Sequence, residues 1–378
     1  MRQVILIAIG LMLVAADAFY AYNAHVEPES LVLPLTMALG GFALLFSVRD
    51  RTDAATLGRW RNRALLLLFT IAISLAFAEA ATRFIFRDVT TSSDNQGFFT
   101  RRWAETGTVQ TNGAGYRERS FSNVKAPGTY RIAAVGDSFT YGNGIRNDER
   151  YTEILQKALP SSFEVLNFGT AGANTPQHLH TVANIVLPLR PDFVILQWYV
   201  NDVEGHHSTG RPTYHSLLPF SGLHGWLIDS SAFYTVANMQ WAQWQVALGM
   251  TPTYEEYLRR RMGDPNGPDA REDRANLVAL IEACRRQGVS IGMVLFPDTG
   301  FPIDASYPYA YLHDRVLETC REQGIPCIDL REDFAAIKDR QSLWANRLDH
   351  HPSGRANSVA AMKMLAAFSP EWLASPSR

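Results

Sequence analysis

Three apolar runs crowd the first eighty-odd residues: Val4 to Tyr22, Leu31 to Val48 and Ala64 to Thr82. Each approaches the roughly 20 residues that carry a helix across a bilayer. Each holds at most one acid, Asp17 in the first and Glu79 in the third. The pattern predicts three transmembrane helices, a module over residues 1–85 anchored in membrane lipid. Arg49, Arg51, Arg59, Arg61 and Arg63 lie between runs two and three, whereas the loop between runs one and two carries Glu27 and Glu29 and no Lys or Arg. The positive-inside rule places the arginine loop in the cytoplasm, and so places everything after Thr82 on the extracytoplasmic side. Arg2 and the small residues of "VAADA" leave open that the first run is a cleaved signal, which does not change the side of the remainder. Asp17 and Glu79 are both expected near the outer ends of their runs, where interfacial solvation accounts for an acid.

Beyond the apolar runs the texture changes. Residues 86–125 are polar and irregular and read as a linker. From 126 to 370 an α/β rhythm takes over. Strands are predicted at Tyr130 to Val135, Phe163 to Phe168, Phe193 to Tyr199, Ser290 to Phe296 and Pro326 to Leu330. Helical patterns lie between them, at roughly Glu149 to Ala158, Pro176 to Leu189, Arg271 to Gln287 and Tyr309 to Gln323, with a last helix from about Gly354 to Ala367. Near-continuous apolar strands alternating with helices imply a parallel sheet of about five strands covered on both faces. With 47% apolar residues in 378, the chain can bury a sizeable core, and a net charge of −2 argues against nucleic acid as a partner. Cys284, Cys320 and Cys327 are too few for a disulfide framework, and no Cys/His spacing points to a metal. A Cys320–Cys327 bridge and a pair of buried thiols both stay open.

The rhythm breaks at about 204–268, an insert too long for an ordinary α/β connection. From Leu217 to Met250 the only formal charge is Asp229, and Trp226, Trp241 and Trp244 fall within the stretch. "SAFYTVANMQWAQWQVALGM" reads as a helix that packs on the core, caps a site or rests on a membrane surface.

In an open parallel sheet, ligands bind beyond the carboxyl ends of the strands. The first strand is followed by "GDSFTYG", the second by "NFGTAGANT" and the third by "YVNDVEGHH". "LDHHPSG" precedes the last helix. A serine, a bare glycine turn, an amide and an Asp/His pair thus all fall where a site should form. Asp137 and Asp202 read as turn and cap residues, and His206 and His207 as candidate substrate contacts.

These four blocks resemble the SGNH, or GDSL-like, hydrolase superfamily. "NGAGYR", from Asn112, is similar to the lead-in of its membrane-anchored bacterial members. The resemblance covers about Lys125 to Phe368. It implies a flavodoxin-like three-layer α/β/α fold with Ser138 as nucleophile, His351 as base and Asp349 as its partner. It also implies an oxyanion hole made by Ser138, Gly172 and Asn201. The chain departs from the family pattern in two places. Tyr199 stands where the third block usually has glycine. Leu348 stands where the acid of Asp-x-x-His-Pro is expected, which leaves the shorter Asp349-x-His351-Pro352. The doubled histidine makes His350 the alternative base; Pro352 favours His351.

A serine hydroxyl needs a base to take its proton, and a base needs an orienting acid. Glycine at 172 suits close backbone approach. The implied activity is serine ester hydrolysis without metal or organic cofactor, at the bacterial inner membrane on the periplasmic side. The substrate expected is an O-acylated, above all O-acetylated, envelope polysaccharide. The same acyl-enzyme serves an O-acyltransferase of envelope polysaccharide, which a membrane protein partner delivering acyl groups would favour, or a lipid esterase. A non-catalytic subunit of a membrane complex is the fourth reading.

Overall fold

The computed structural model describes residues 55–91, 97–105, 109–205 and 211–374. The predicted runs Val4 to Tyr22 and Leu31 to Val48, with Asp17, lie outside the described residues, as do Arg49, Arg51, His206 and His207. The chain divides into two compact units, one of residues up to Asp88 together with Ser216–Trp241, the other of Val89–His215 and Ala242–Arg378. This differs from the expected boundaries in two ways. The insert is not one piece, because its middle belongs with the N-terminal helix. And the stretch read as a linker contributes buried residues, Val89, Phe99, Trp103 and Arg117, to the second unit.

In the first unit a helix runs from Ala55 to Ile85. Its segment Asn62–Ile85, 24 residues, is long and apolar enough to cross a membrane. Leu66, Leu67, Leu68, Ile71 and Phe77 stand exposed along it. Two helices of the insert, Ser221–Ser230 and the start of Ala232–Ala247, complete the unit.

The second unit is built on five parallel strands: β1 (Tyr130–Gly136), β2 (Phe163–Gly169), β3 (Phe193–Trp198), β4 (Ser290–Leu295) and β5 (Cys327–Asp329). Their order is β2-β1-β3-β4-β5, the flavodoxin-like order expected of a doubly wound sheet. Alternation along each strand divides the core between two faces. Ala133, Val135, Val194, Leu196 and Met293 join one apolar cluster, and Ile132, Ala134, Phe193, Ile195 and Val294 the other. Helices Thr175–Thr181, Pro268–Arg286 and Ala310–Gln323 cover the first face; Tyr151–Ala158 and Gly354–Ala374 cover the second.

Two of the differences from the sequence reading concern elements close to its candidate blocks. The expected helix from Pro176 to Leu189 ends its regular turns at Thr181 and continues as a π turn, Val182–Val186, and a 3₁₀ turn, Leu187–Leu189. Pro188, which lacks an N–H, sits in that last turn. And "WANRLDHHP" forms a small antiparallel ladder, β6 (Trp344–Asn346) with β7 (Asp349–Pro352). Cys284, Cys320 and Cys327 are free thiols.

Candidate active site

The site forms where β1 ends. Gly136 closes the strand, Asp137 turns the chain, and Ser138 begins a short helix, Ser138–Tyr141. Asp137 caps that helix by accepting from Phe139 N at 2.9 Å. As the first helical residue, Ser138 has a backbone N–H with no intrahelical acceptor. The turn is held from below by Gln197 on β3, whose Oε1 accepts from Asp137 N at 3.1 Å, Thr140 N at 3.3 Å and Thr140 Oγ1 at 2.9 Å. Gly136 admits this packing, since a Cβ there would lie 2.3 Å from Gln197 Oε1.

β7 supplies the histidine and the acid. Residues two apart on a strand share a face. Asp349 and His351 therefore point inward together, while His350 turns out and stacks on Trp344 with ring centroids 4.2 Å apart. His351 Nδ1 lies 2.5 Å from Asp349 Oδ1, and His351 Nε2 lies 2.9 Å from Ser138 Oγ. Asp349 Oδ1 also accepts from His351 N at 3.1 Å, and Thr91 Oγ1 donates to Asp349 Oδ2. Burial works against a charged His351. The Asp349 carboxylate, by charge and by hydrogen bond, outweighs it with help from Asp137 and Asp298, so the ring titrates above the ordinary histidine value. Burial also works against a charged Asp349, yet His351 and the hydrogen bond from Thr91 hold its pKa below the ordinary carboxylate value.

Sheet order brings in the remaining two predicted residues. β1 lies between β2 and β3, with Gly136 paired to Gly169 and Val135 to Leu196. The turns that follow β2 and β3, which carry Gly172 and Asn201, therefore flank the Ser138 turn. Gly172 is exposed at φ +76°, and a Cβ there would meet no atom within 4 Å. Glycine suits the left-handed backbone at this position, and no described neighbour crowds it. Crowding applies instead at Gly169, where a Cβ would lie 2.2 Å from Tyr141 N. The Asn201 side chain makes no hydrogen bond to a described residue, and its Oδ1 is buried without a partner. Its amide is thus uncommitted among the described residues.

Asn167, Asp202 and the lead-in motif serve the scaffold. Asn167 donates to Thr140 O at 2.6 Å and accepts from Gly169 N at 2.9 Å, tying the first two blocks together. Asp202 accepts from Tyr199 N at 3.0 Å and pairs with buried His178 at 2.8 Å. Arg117, fully buried, donates to the carbonyls of Gly142 and of Ile145, the latter at 2.7 Å. Burial and neighbouring Arg150 lower its pKa to about 10. Tyr199, which departs from the usual family pattern of glycine, packs on Phe139. Its ring lies 4.2 Å from that of Phe139, which in turn lies 5.5 Å from the His351 ring.

Three supporting residues were missed from sequence. Gln197 had a signal, a lone amide inside the apolar strand "FVILQW". Arg117 lay inside a motif read only as a lead-in. Thr91, separated from Asp349 by 258 positions, had none.

Arranged this way, the serine can pass its proton to a histidine whose tautomer is set by a carboxylate, as acyl transfer through a serine ester requires. Residues 134–358, more than half of the chain, match the model of the GDSL-like Lipase/Acylhydrolase family. No curated protein matches the chain. Among solved structures it is similar to a member of the lipolytic G-D-S-L family from Veillonella parvula, with 16% identity over 64% of this chain and 99% of that one, TM-score 0.40. It is also similar to a catalytic mutant of an acetylxylan esterase from Geobacillus stearothermophilus, with 17% identity over 66% and 98%, TM-score 0.41. The chain belongs to the GDSL-like lipase/acylhydrolase family and is a serine ester hydrolase.

Proposed function

We propose that Ser138, His351 and Asp349 are the catalytic triad of a membrane-anchored esterase that removes short acyl groups, acetyl above all, from an extracytoplasmic polysaccharide. The continuous hydrogen-bonded path from Asp349 through His351 to Ser138 carries this reading. Ser138 Oγ attacks the ester carbonyl as His351 Nε2 takes its proton. The backbone N–H groups of Ser138 and Gly172 and the Asn201 amide receive the oxyanion. His351 then protonates the departing sugar alkoxide, leaving the acyl group on Ser138. Water, deprotonated by His351, completes hydrolysis and restores the serine.

The preference for a short acyl chain rests on Phe139 and Tyr199, whose stacked rings occupy room beside His351. The extracytoplasmic setting rests on the span-length helix and on the arginines Arg59, Arg61 and Arg63 at its N-terminal end.

A fluorophosphonate probe is expected to label the wild type and not Ser138→Ala, and p-nitrophenyl acetate to be cleaved faster than the octanoate. Labelling that survives Ser138→Ala overturns the assignment of the nucleophile. Deleting the gene is expected to raise envelope O-acetyl content. A fall in O-acetyl content points instead to transfer onto the sugar.

A further inference from the structure

The sequence places Glu79 near the end of an apolar run, where solvation would explain an acid. The structure shows a different environment. Within the first unit, Glu79 Oε2 accepts from Ser231 Oγ at 2.7 Å and Phe233 N at 2.9 Å, and Oε1 accepts from Ala232 N at 3.0 Å. The carboxylate thus caps, from another helix, the N-terminus of Ala232–Ala247, where backbone N–H groups lack partners and the helix dipole favours negative charge. Arg83, one turn on, donates through Nε to Glu79 Oε1 at 2.5 Å and through Nη2 to Ser230 O at 2.9 Å. Both side chains are shielded, at 5% and 13% exposure for Arg83 and Glu79. The chain bend between Ser221–Ser230 and Ala232–Ala247 is therefore clamped to the last two turns of the span-length helix. His224 Nδ1 and Tyr234 Oη, 2.9 Å apart, hold the two insert helices to each other.

The faces this elbow leaves open are apolar. Phe220 is 66% exposed, and Leu223 and Trp226 are each 45% exposed. Ser221–Ser230 has no buried residue, and Asp229 is the only formal charge from Leu217 to Met250. Phe84 and Ile85, at the clamped end of the long helix, are likewise exposed. The apolar surface of the span thus continues onto the elbow. Ten residues of helix reach only about 15 Å, half of a bilayer core, so Ser221–Ser230 cannot cross. Aromatic and aliphatic side chains beside the end of a span match the membrane–water boundary, where Trp and other rings collect.

We propose that residues 216–241 are a second membrane-binding element, an interfacial elbow whose Phe220, Leu223 and Trp226 enter the lipid leaflet at the C-terminal end of the Asn62–Ile85 helix, held there by Glu79 and Arg83. The occupant of the apolar face is lipid. The membrane unit is then discontinuous in sequence, and the hydrolase unit is joined to it by three chain passages rather than one.

The test uses the full chain in phosphatidylethanolamine/phosphatidylglycerol nanodiscs, with Cys327→Ser so that the remaining native thiols are buried. Spin labels go singly at Phe220, Leu223 and Trp226, with Leu68 as a lipid control and Arg355 as a water control. Labels at the three elbow positions are expected to collide more with oxygen than with a nickel chelate, at a shallower depth than at Leu68. Nickel access equal to that at Arg355, with Leu68 still in lipid, overturns the elbow. Nickel access at Leu68 as well overturns the membrane reading beneath it, and exclusion of both reagents from the elbow assigns its face to protein and also overturns the proposal. In Glu79→Ala the elbow labels are expected to gain nickel access several-fold. If that variant does not fold, Glu79→Gln serves, with a smaller gain. Unchanged access in the folded variant overturns the clamp.

Discussion

Asp349 and His351 face one another because they stand two positions apart on one strand, which brings Oδ1 to 2.5 Å from Nδ1 and turns the intervening His350 to the opposite side. The Asp-x-His spacing on a strand assigns different fates to two adjacent histidines. His351→Ala is expected to abolish ester hydrolysis. His350→Ala, which removes the ring stacked on Trp344, is expected to keep activity within a few-fold. Asp349→Asn preserves shape but disturbs the tautomer, a change worth about 10⁴-fold in kcat in triads of this kind. Steady-state kinetics on a p-nitrophenyl ester check all three. Comparable losses in the two alanine variants would argue that the pair acts jointly.

The acid has a second partner that sets a subtler expectation. Thr91 donates to Asp349 Oδ2, so Thr91→Val leaves a buried carboxylate oxygen without that donor. Loss of one such partner costs about 1–3 kcal/mol. The carboxylate becomes more basic, and the His351 pKa, already raised, rises further. If His351 is the base proposed above, it must be neutral to act, and the acid limb of kcat/KM should move to higher pH in Thr91→Val and return in Thr91→Ser. A limb that stays in place while activity falls would reduce Thr91 to a packing residue.

Much of this was readable before any coordinates. Strands packed on both faces are apolar almost throughout, so β1 to β4 stand out in sequence, and the residues after them mark the site edge. What could not be read has a common physical origin. β6 and β7 are three and four residues long and gain their place from tertiary contacts, so no strand was predicted over "LDHHP". Thr91 and Arg117 act through hydrogen bonds that close only when distant segments meet. Glu79 looked solvated because its acceptor role depends on a hydroxyl and two N–H groups 152 to 154 positions away. Periodicity reports which face of an element is buried, not what a polar atom on that face will find.

The two glycines of the second block separate steric need from catalytic need. At Gly169 an added Cβ would collide with backbone, 2.2 Å from Tyr141 N and 2.6 Å from Thr140 C. Gly169→Ala is therefore expected to yield no folded protein. At Gly172 there is space, and the penalty is the left-handed φ of +76°, about 1–2 kcal/mol for an L side chain. Gly172→Ala is expected to fold with a slightly lowered Tm and a disproportionate loss of kcat, as the N–H leaves its position. Asn201→Ala should lose about 10²–10³ in kcat with an intact Tm. Circular dichroism melts beside kinetics distinguish these cases, and a fully active Gly172→Ala would remove that residue from the oxyanion hole.

Asp137 makes the last prediction, one about stability. Its carboxyl is fully buried next in sequence to Ser138; one oxygen caps Phe139 N and the other, Oδ2, has no hydrogen-bond partner among the described residues. Burial first, and then the charge of Asp202, push its pKa from 3.8 to about 6. A carboxyl raised in the folded state favours folding only while it is protonated there. Its contribution is fully present below the unfolded value of 3.8 and is lost as pH rises through about 6. Asp137→Asn keeps an acceptor for Phe139 N and carries no charge, although its buried amide brings a constant cost of its own. The informative quantity is therefore the change with pH in the stability difference between variant and wild type. Between pH 4 and pH 8 it should move in favour of Asp137→Asn by up to about 3 kcal/mol, read as a Tm gap that grows with pH for the full chain in detergent. A gap independent of pH would mean that Asp137 keeps an ordinary carboxylate pKa in the folded protein.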